Sequence, residues 1–157
     1  MIILGIDPGG TTGYGAVLLG TDTESNEEII KFMEAGELPD WHGLEELIIR
    51  INPQIIVFEQ FKLYPWLAKD LSWNEMLTVQ VIGVLHYLCE KHNKIVKGQG
   101  ANEKKSVRLK AIAMLKAYGN KSRYSDHSID ALTHALVYLR KEKVHENRKT
   151  NYEPPLV

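Results

Sequence analysis

Apolar and polar positions alternate along this chain in blocks that predict its elements in order. The chain opens on IILGID, an apolar run that ends at Asp7 and predicts a strand. PGGTTG follows, where proline fixes one backbone angle and glycine admits positive φ and close approach. Apolar residues return in YGAVLL, which predicts a second strand and hence a hairpin. After the polar loop TDTESNEE, IIKFMEAGEL predicts a third strand. The spacing in WHGLEELIIRI predicts an amphipathic helix, with Asp40 as its N-cap.

In QIIVFEQF, residues Ile55, Ile56, Val57 and Phe58 form an unbroken apolar run, the pattern of a strand buried on both faces, and it ends at Glu59. KLYPWLAKDLSWN reads as a loop. Residues 75–92 carry little charge and predict a long, largely buried helix. NKIV predicts a short strand, and Asn102 is expected to cap a helix over 103–118 that Gly119 stops. Ser125 or Asp126 caps a last helix over 126–143, with Ile129, Leu132, Leu136 and Leu139 as its apolar stripe. The order is three strands, then helix, strand, helix, strand and two helices. It predicts an α/β fold: a mixed five-stranded sheet, made of a three-strand meander and two parallel strands, flanked by helices. One domain is expected over 1–143, with a polar, flexible tail over 144–157.

Composition adds limits. The 157 residues suit a single domain, and 44% hydrophobic with 25% charged is ordinary for a globular protein. No apolar run approaches the roughly 18 residues of a membrane span, so no membrane partner is expected. The N-terminal stretch lacks the pattern of a secretion signal, and Cys89 is the lone cysteine, so a cytoplasmic setting is expected.

Charge changes the picture more. The net charge is −1, but residues 22–46 hold nine Asp or Glu against one Lys, and residues 91–123 hold ten Lys or Arg against one Glu. A chain polarised in this way can turn a positive face to phosphates despite its near-neutral total, although a solvated basic helix gives the same count.

Three places hold candidate chemistry. Asp7 and Glu59 each end an apolar strand. If those strands are neighbours, the two carboxylates lie together at the sheet edge where open α/β folds bind ligands. Close carboxylates repel unless a cation joins them, and Mg2+ is a hard ion that takes such ligands. The last helix opens SDHSIDALTHAL, which puts His127, Asp130 and His134 on one face. His127 tolerates Mn2+ better than Mg2+ and can act as a base. Taken singly, Asp7 is a turn-former before proline, Glu59 an exposed strand end, Asp126 a cap and His134 a half-buried helix residue; jointly they suggest a site.

IILGIDPGGTTGYG, IIVFEQF and HSIDALTHAL together resemble the three signature segments of the RuvC-type Holliday junction resolvases, within the RNase H-like superfamily, and are similar to phage-encoded members. The likeness runs over about residues 1–140. It implies a homodimeric endonuclease that needs Mg2+ or Mn2+ and no small-molecule cofactor. It further implies paired nicks in four-way DNA junctions. The family's acidic residues fall on Asp7, Glu59 and Asp130. Three positions before the last, where the family often has Asp, this chain has His127, as some members do. The resemblance implies two metals about 4 Å apart on these residues, with Asp7 bridging. Basic residues for DNA would fall on Lys104, Lys105 and Arg108. An aromatic that enters the junction would be Phe61, or Tyr64 or Trp66 in the following loop. Trp66, Trp73 and Tyr87 could pack a dimer interface or the core. Other readings remain open: a related nuclease acting on flaps, forks or packaged phage DNA, a non-catalytic DNA-binding module, and an actin-like phosphate loop, for which the chain is short.

Overall fold

Side chains alternate across a strand, so the first strand must serve two cores at once. In the computed structural model, which describes residues 1–62, 76–118 and 123–150, strand β1 (Ile2–Asp7) does so. Ile3 joins one buried cluster, whereas Leu4 and Ile6 join another on the opposite face. Strands β2 (Thr12–Thr21) and β3 (Glu28–Leu38) extend the sheet as an antiparallel meander. Strand β4 (Ile55–Glu59) pairs parallel to β1, and β5 (Ile95–Gln99) parallel to β4. The sheet order is β3-β2-β1-β4-β5, the predicted mixed sheet of five.

Helices cover both faces. Helix α1 (Leu44–Ile51) and helix α2 (Leu77–Lys91) pack Leu44, Leu47, Ile48, Val81, Leu85 and Leu88 under Leu4, Ile6, Ile56 and Phe58. Helix α3 (Arg108–Tyr118) and helix α4 (Asp126–Thr150) cover the other face, over Ile3, Val17, Ile55 and Val57. The unbroken apolar run of β4 is accounted for: all four of its residues from Ile55 to Phe58 are buried, alternately in one core and the other.

Several boundaries differ from expectation. Helix α1 starts at Leu44, and its N-cap is Gly43 without a side-chain bond. Asp40 instead accepts the His42 N–H at 2.8 Å, closing a turn of its own ahead of the helix. Asn102 lies in a short 3-10 turn (Ala101–Glu103), and α3 begins only at Arg108. Helix α2 is amphipathic rather than largely buried, since Leu77, Val79 and Tyr87 are exposed; its few charges do not mark burial. Tyr87 is therefore no part of the core. Helix α4 continues to Thr150, past the predicted end at 143. Its middle, residues 131–139, is buried all round because α3 and the sheet enclose it, so the predicted stripe was too narrow. Gly119, Tyr64, Trp66 and Trp73 lie outside the described residues. Among the described residues, no helix is long and apolar enough to cross a membrane.

Three strand glycines set how closely α4 lies on the sheet. A Cβ on Gly5 would stand 1.9 Å from the Ala131 carbonyl oxygen, one on Gly13 2.2 Å from the His127 carbonyl oxygen, and one on Gly15 2.5 Å from the Leu132 backbone. No described glycine has positive φ, so the segment after Asp7 uses the close approach predicted for it, at Gly13, but not the positive φ. Gly5→Ala should therefore force α4 outward and cost about 3 kcal/mol. Gly83→Ala, inside α2 with nothing within 4 Å among the described residues, should instead gain about 1 kcal/mol. Urea unfolding of both variants checks this, and an unchanged midpoint for Gly5→Ala would contradict the close approach.

Candidate active site

The β1–β4 register pairs Ile6 with Phe58. The next residues, Asp7 and Glu59, therefore lie side by side at the C-terminal ends of adjacent parallel strands. By the two-residue period both point to the α4 side, with Ile3, Gly5, Ile55 and Val57. The β4–β5 register adds Gln99 opposite Glu59.

The start of α4 hangs over these ends. Ser125 caps it: its hydroxyl oxygen accepts the Ser128 N–H at 3.2 Å, and the Ser128 hydroxyl donates to the Ser125 carbonyl at 2.9 Å. Asp126 is not the cap. It is exposed and accepts from Arg108 Nη2 at 2.5 Å. One turn of helix then brings His127 Nδ1 to 2.9 Å from Asp7 Oδ2. Two turns further on, His134 Nε2 lies 3.3 Å from Glu59 Oε2 and Nδ1 lies 2.9 Å from Gln99 Oε1.

The segment after β5, as far as the first residue of α3, supplies the cations. Lys104 Nζ stands 2.8 Å from Glu59 Oε2 and 2.6 Å from Asp130 Oδ2. Arg108 Nε donates to Asp130 Oδ1 at 2.7 Å. Glu103 pairs with Lys141, and Arg140 Nη1 donates to Ser106 Oγ at 3.0 Å, so this segment is tied to α4 on both sides of Lys104.

Environment separates the carboxylates. Burial raises the Asp7 carboxyl above its ordinary value, and neither the His127 bond nor Lys104 offsets this fully. His127 is shifted up by its bond to Asp7. The pair is lopsided because the exposed ring gains a partner, whereas the half-buried carboxylate loses more solvation than the ring returns. Glu59 falls from 4.5 to about 2, chiefly through the hydrogen bond from His134, with Lys104 also contributing. For Asp130 burial is the largest influence, but Lys104 and Arg108 together outweigh it and hold the carboxyl below its usual range.

The site residues expected from sequence thus take distinct positions. Asp7 pairs with His127, Lys104 joins Glu59 to Asp130, and Asp7 and Glu59 line one cleft. Lys104 and Arg108 turn inward onto carboxylates, whereas Lys105 is exposed. Phe61 is exposed at an open cleft of about 360 Å3 that Asp7, Pro8, Glu59, Gln60 and Asn102 also line. Tyr64 is not among the described residues. Sequence reasoning missed Gln99 and undervalued His134, which is fully buried rather than half-buried. The signals were present: Gln99 ends its strand as Asp7 and Glu59 end theirs, and His134 lies four residues after Asp130.

A hard cation suits this donor set in kind, since Asp7 and Glu59 end adjacent strands and an ammonium already stands between Glu59 and Asp130. Among the described residues no three His, Cys, Asp or Glu side chains form a ready cage, so a metal would take the place of Lys104 Nζ.

The fold is that of the RuvC-type resolvases. Thermus thermophilus RuvC, solved in complex with a Holliday junction substrate, is similar over 92% of this chain and 96% of its own, with TM-score 0.64 and 17% identity. Fowlpox virus resolvase, solved with substrate Holliday junction DNA, matches 88% of this chain and 99% of its own, with TM-score 0.54 and 18% identity. The yeast mitochondrial Holliday junction resolvase matches 94% of this chain and 83% of its own, with TM-score 0.58 and 16% identity. No protein-family model matches the sequence, and no curated protein does.

Glu59 gives this cluster a pH signature. Its folded value of about 2 lies below the ordinary 4.5, so between these values the unfolded chain binds more protons and stability rises with pH. The contribution is complete above pH 4.5 and is lost as pH falls toward 2. In urea unfolding across this range, the gap between wild type and Glu59→Gln should narrow as pH falls. A constant gap would mean that Glu59 is not ion-paired as described.

Proposed function

We propose that this chain is a metal-dependent endonuclease that resolves four-way DNA junctions by hydrolysing phosphodiester bonds. One observation carries the reading: carboxylates end two adjacent parallel strands, and the first turns of α4 bring Asp130 and His127 against them. The likeness to resolvases solved with junction DNA supports it over about nine-tenths of the chain.

Asp7, Glu59, Asp130 and His127 would hold the metal, with Mg2+ favoured by the oxygens and Mn2+ accommodated by the imidazole. Bound there, a divalent ion lowers the pKa of a water and neutralises charge that develops on the phosphate. The chain does the rest. Lys104 and Arg108 keep Glu59 and Asp130 ionised, and the tethers to α4 hold both cations beside the cleft. Lys105, exposed next to Lys104, fits the DNA backbone, and Phe61 at the cleft fits an unstacked base. A homodimer with two such sites accounts for paired cuts in a two-fold junction.

A non-catalytic DNA-binding module is the second reading. It is favoured by Lys104 bridging Glu59 and Asp130. Cleavage assays on a labelled four-way junction, with flap, fork and linear duplex beside it, separate the readings. Paired nicks with Mg2+ or Mn2+ and none with EDTA are expected. Glu59→Gln should reduce cleavage at least about a thousandfold while DNA binding stays or tightens. Equal cutting of flaps or forks would move the substrate to branched DNA in general, and binding without cutting would leave the module. Lys105→Ala should lower the slope of log affinity against log salt by about 0.9; an unchanged slope would place the DNA face elsewhere.

A further inference from the structure

His134 is fully buried, and Gln99 is 5% exposed. Polar groups in such places cost free energy unless bonded, and both are bonded to the site. The ring spans from Gln99 Oε1 at 2.9 Å to Glu59 Oε2 at 3.3 Å. An ionised carboxylate only accepts, so Nε2 carries the hydrogen. Nδ1 is settled by Gln99, whose amide can turn either end to the ring. Gln99 lies opposite Glu59 in the β4–β5 register, so the ring is braced by the strand beside the one it serves.

The other partner of Glu59 is different in kind. Lys104 has a long, partly exposed side chain that can withdraw. His134 is enclosed within α4 and has no such freedom. Both bonds fall on Oε2, so Oε1 carries neither.

We propose that His134, braced by Gln99, is a positioning residue for Glu59: it anchors Oε2 inside the protein and leaves Oε1 for the divalent cation. The role rests on the metal site proposed above. It predicts that the cation affinity of the protein depends on a side chain that does not touch the cation.

The test is Mn2+ binding to the DNA-free protein by calorimetry, beside junction cleavage, with Glu59→Gln marking the site. His134→Leu removes the donor. His134→Asn places its amide short of Glu59, whereas His134→Gln puts an N–H where Nε2 stood. The Leu and Asn variants should bind Mn2+ ten- to a hundredfold more weakly, as loss of such outer partners does elsewhere, and the Gln variant should recover most of that affinity. Thermal melts establish that each variant is folded.

A folded Asn variant that binds Mn2+ like wild type would overturn the proposal. So would a Gln variant as weak as Asn, or wild type that binds no better than Glu59→Gln. If the Leu and Asn variants fail to fold, Gln99→Met, which frees the ring from β5, carries the same expectation of weaker Mn2+ binding, and unchanged binding overturns it. His134-dependent Mn2+ binding without cleavage of any branched DNA would sink the nuclease reading and keep the positioning role.

Discussion

The close seat of α4 on the sheet is the constraint on which the site depends. It exists because β1 and β2 present Gly5, Gly13 and Gly15 to the helix, and backbone meets backbone there. The same two-residue period that faces Gly5 to α4 faces Asp7 to it, and the parallel register does likewise for Glu59. Packing and chemistry are therefore one arrangement. A slip of one residue in either strand would turn its carboxylate to the α1–α2 face. A helix set farther out would lift His127 from Asp7 and Asp130 from the reach of Glu59's lysine.

Crowding acids at this edge has an electrostatic cost, and the chain offsets it unevenly. Glu59 and Asp130 share Lys104, and Asp130 also takes Arg108, so both carboxyls titrate low. Asp7 has only an exposed imidazole in hydrogen-bond contact among the described residues, and it titrates high. The least compensated carboxylate sits on the central strand, beside the cleft. It is where an added cation gains most. The basic segment 91–123 also has a different meaning from the one its count suggests. Two of its ten cations are spent inside the site, so local charge overstates the surface available to phosphates.

The strands and the positions of Asp7 and Glu59 were legible because apolar runs ending in acids mark strand ends without reference to the rest of the molecule, and Asp130 was legible because helical spacing sets it on one face with His127 and His134. Helix starts were not. Asp40 and Asn102 both have good capping chemistry, but Asp40 closes a turn of its own, Asn102 lies within a 3-10 turn, and the helices begin later. Apolar content misjudged α2, because low charge does not say which face is covered. His134 was hidden for the opposite reason. A polar residue inside a long apolar helix segment reads as partial exposure until the facing strand is known. Only the β4–β5 register shows that Gln99 and Glu59 wait opposite it.

The histidine at position 127 bears on how such a site stands without metal. A carboxylate there would face Asp7 at hydrogen-bond distance and repel it. The imidazole donates instead, so Asp7 is paired in the protein alone. Lys104 does the same for Glu59 and Asp130. On the proposed reading, a metal would exchange with the imidazole at Asp7 and with the ammonium between Glu59 and Asp130. His134 is the contact that displacement does not touch. On that reading, the exchange would take place on the cleft side while the bond from the buried His134 would hold Glu59 Oε2 in place.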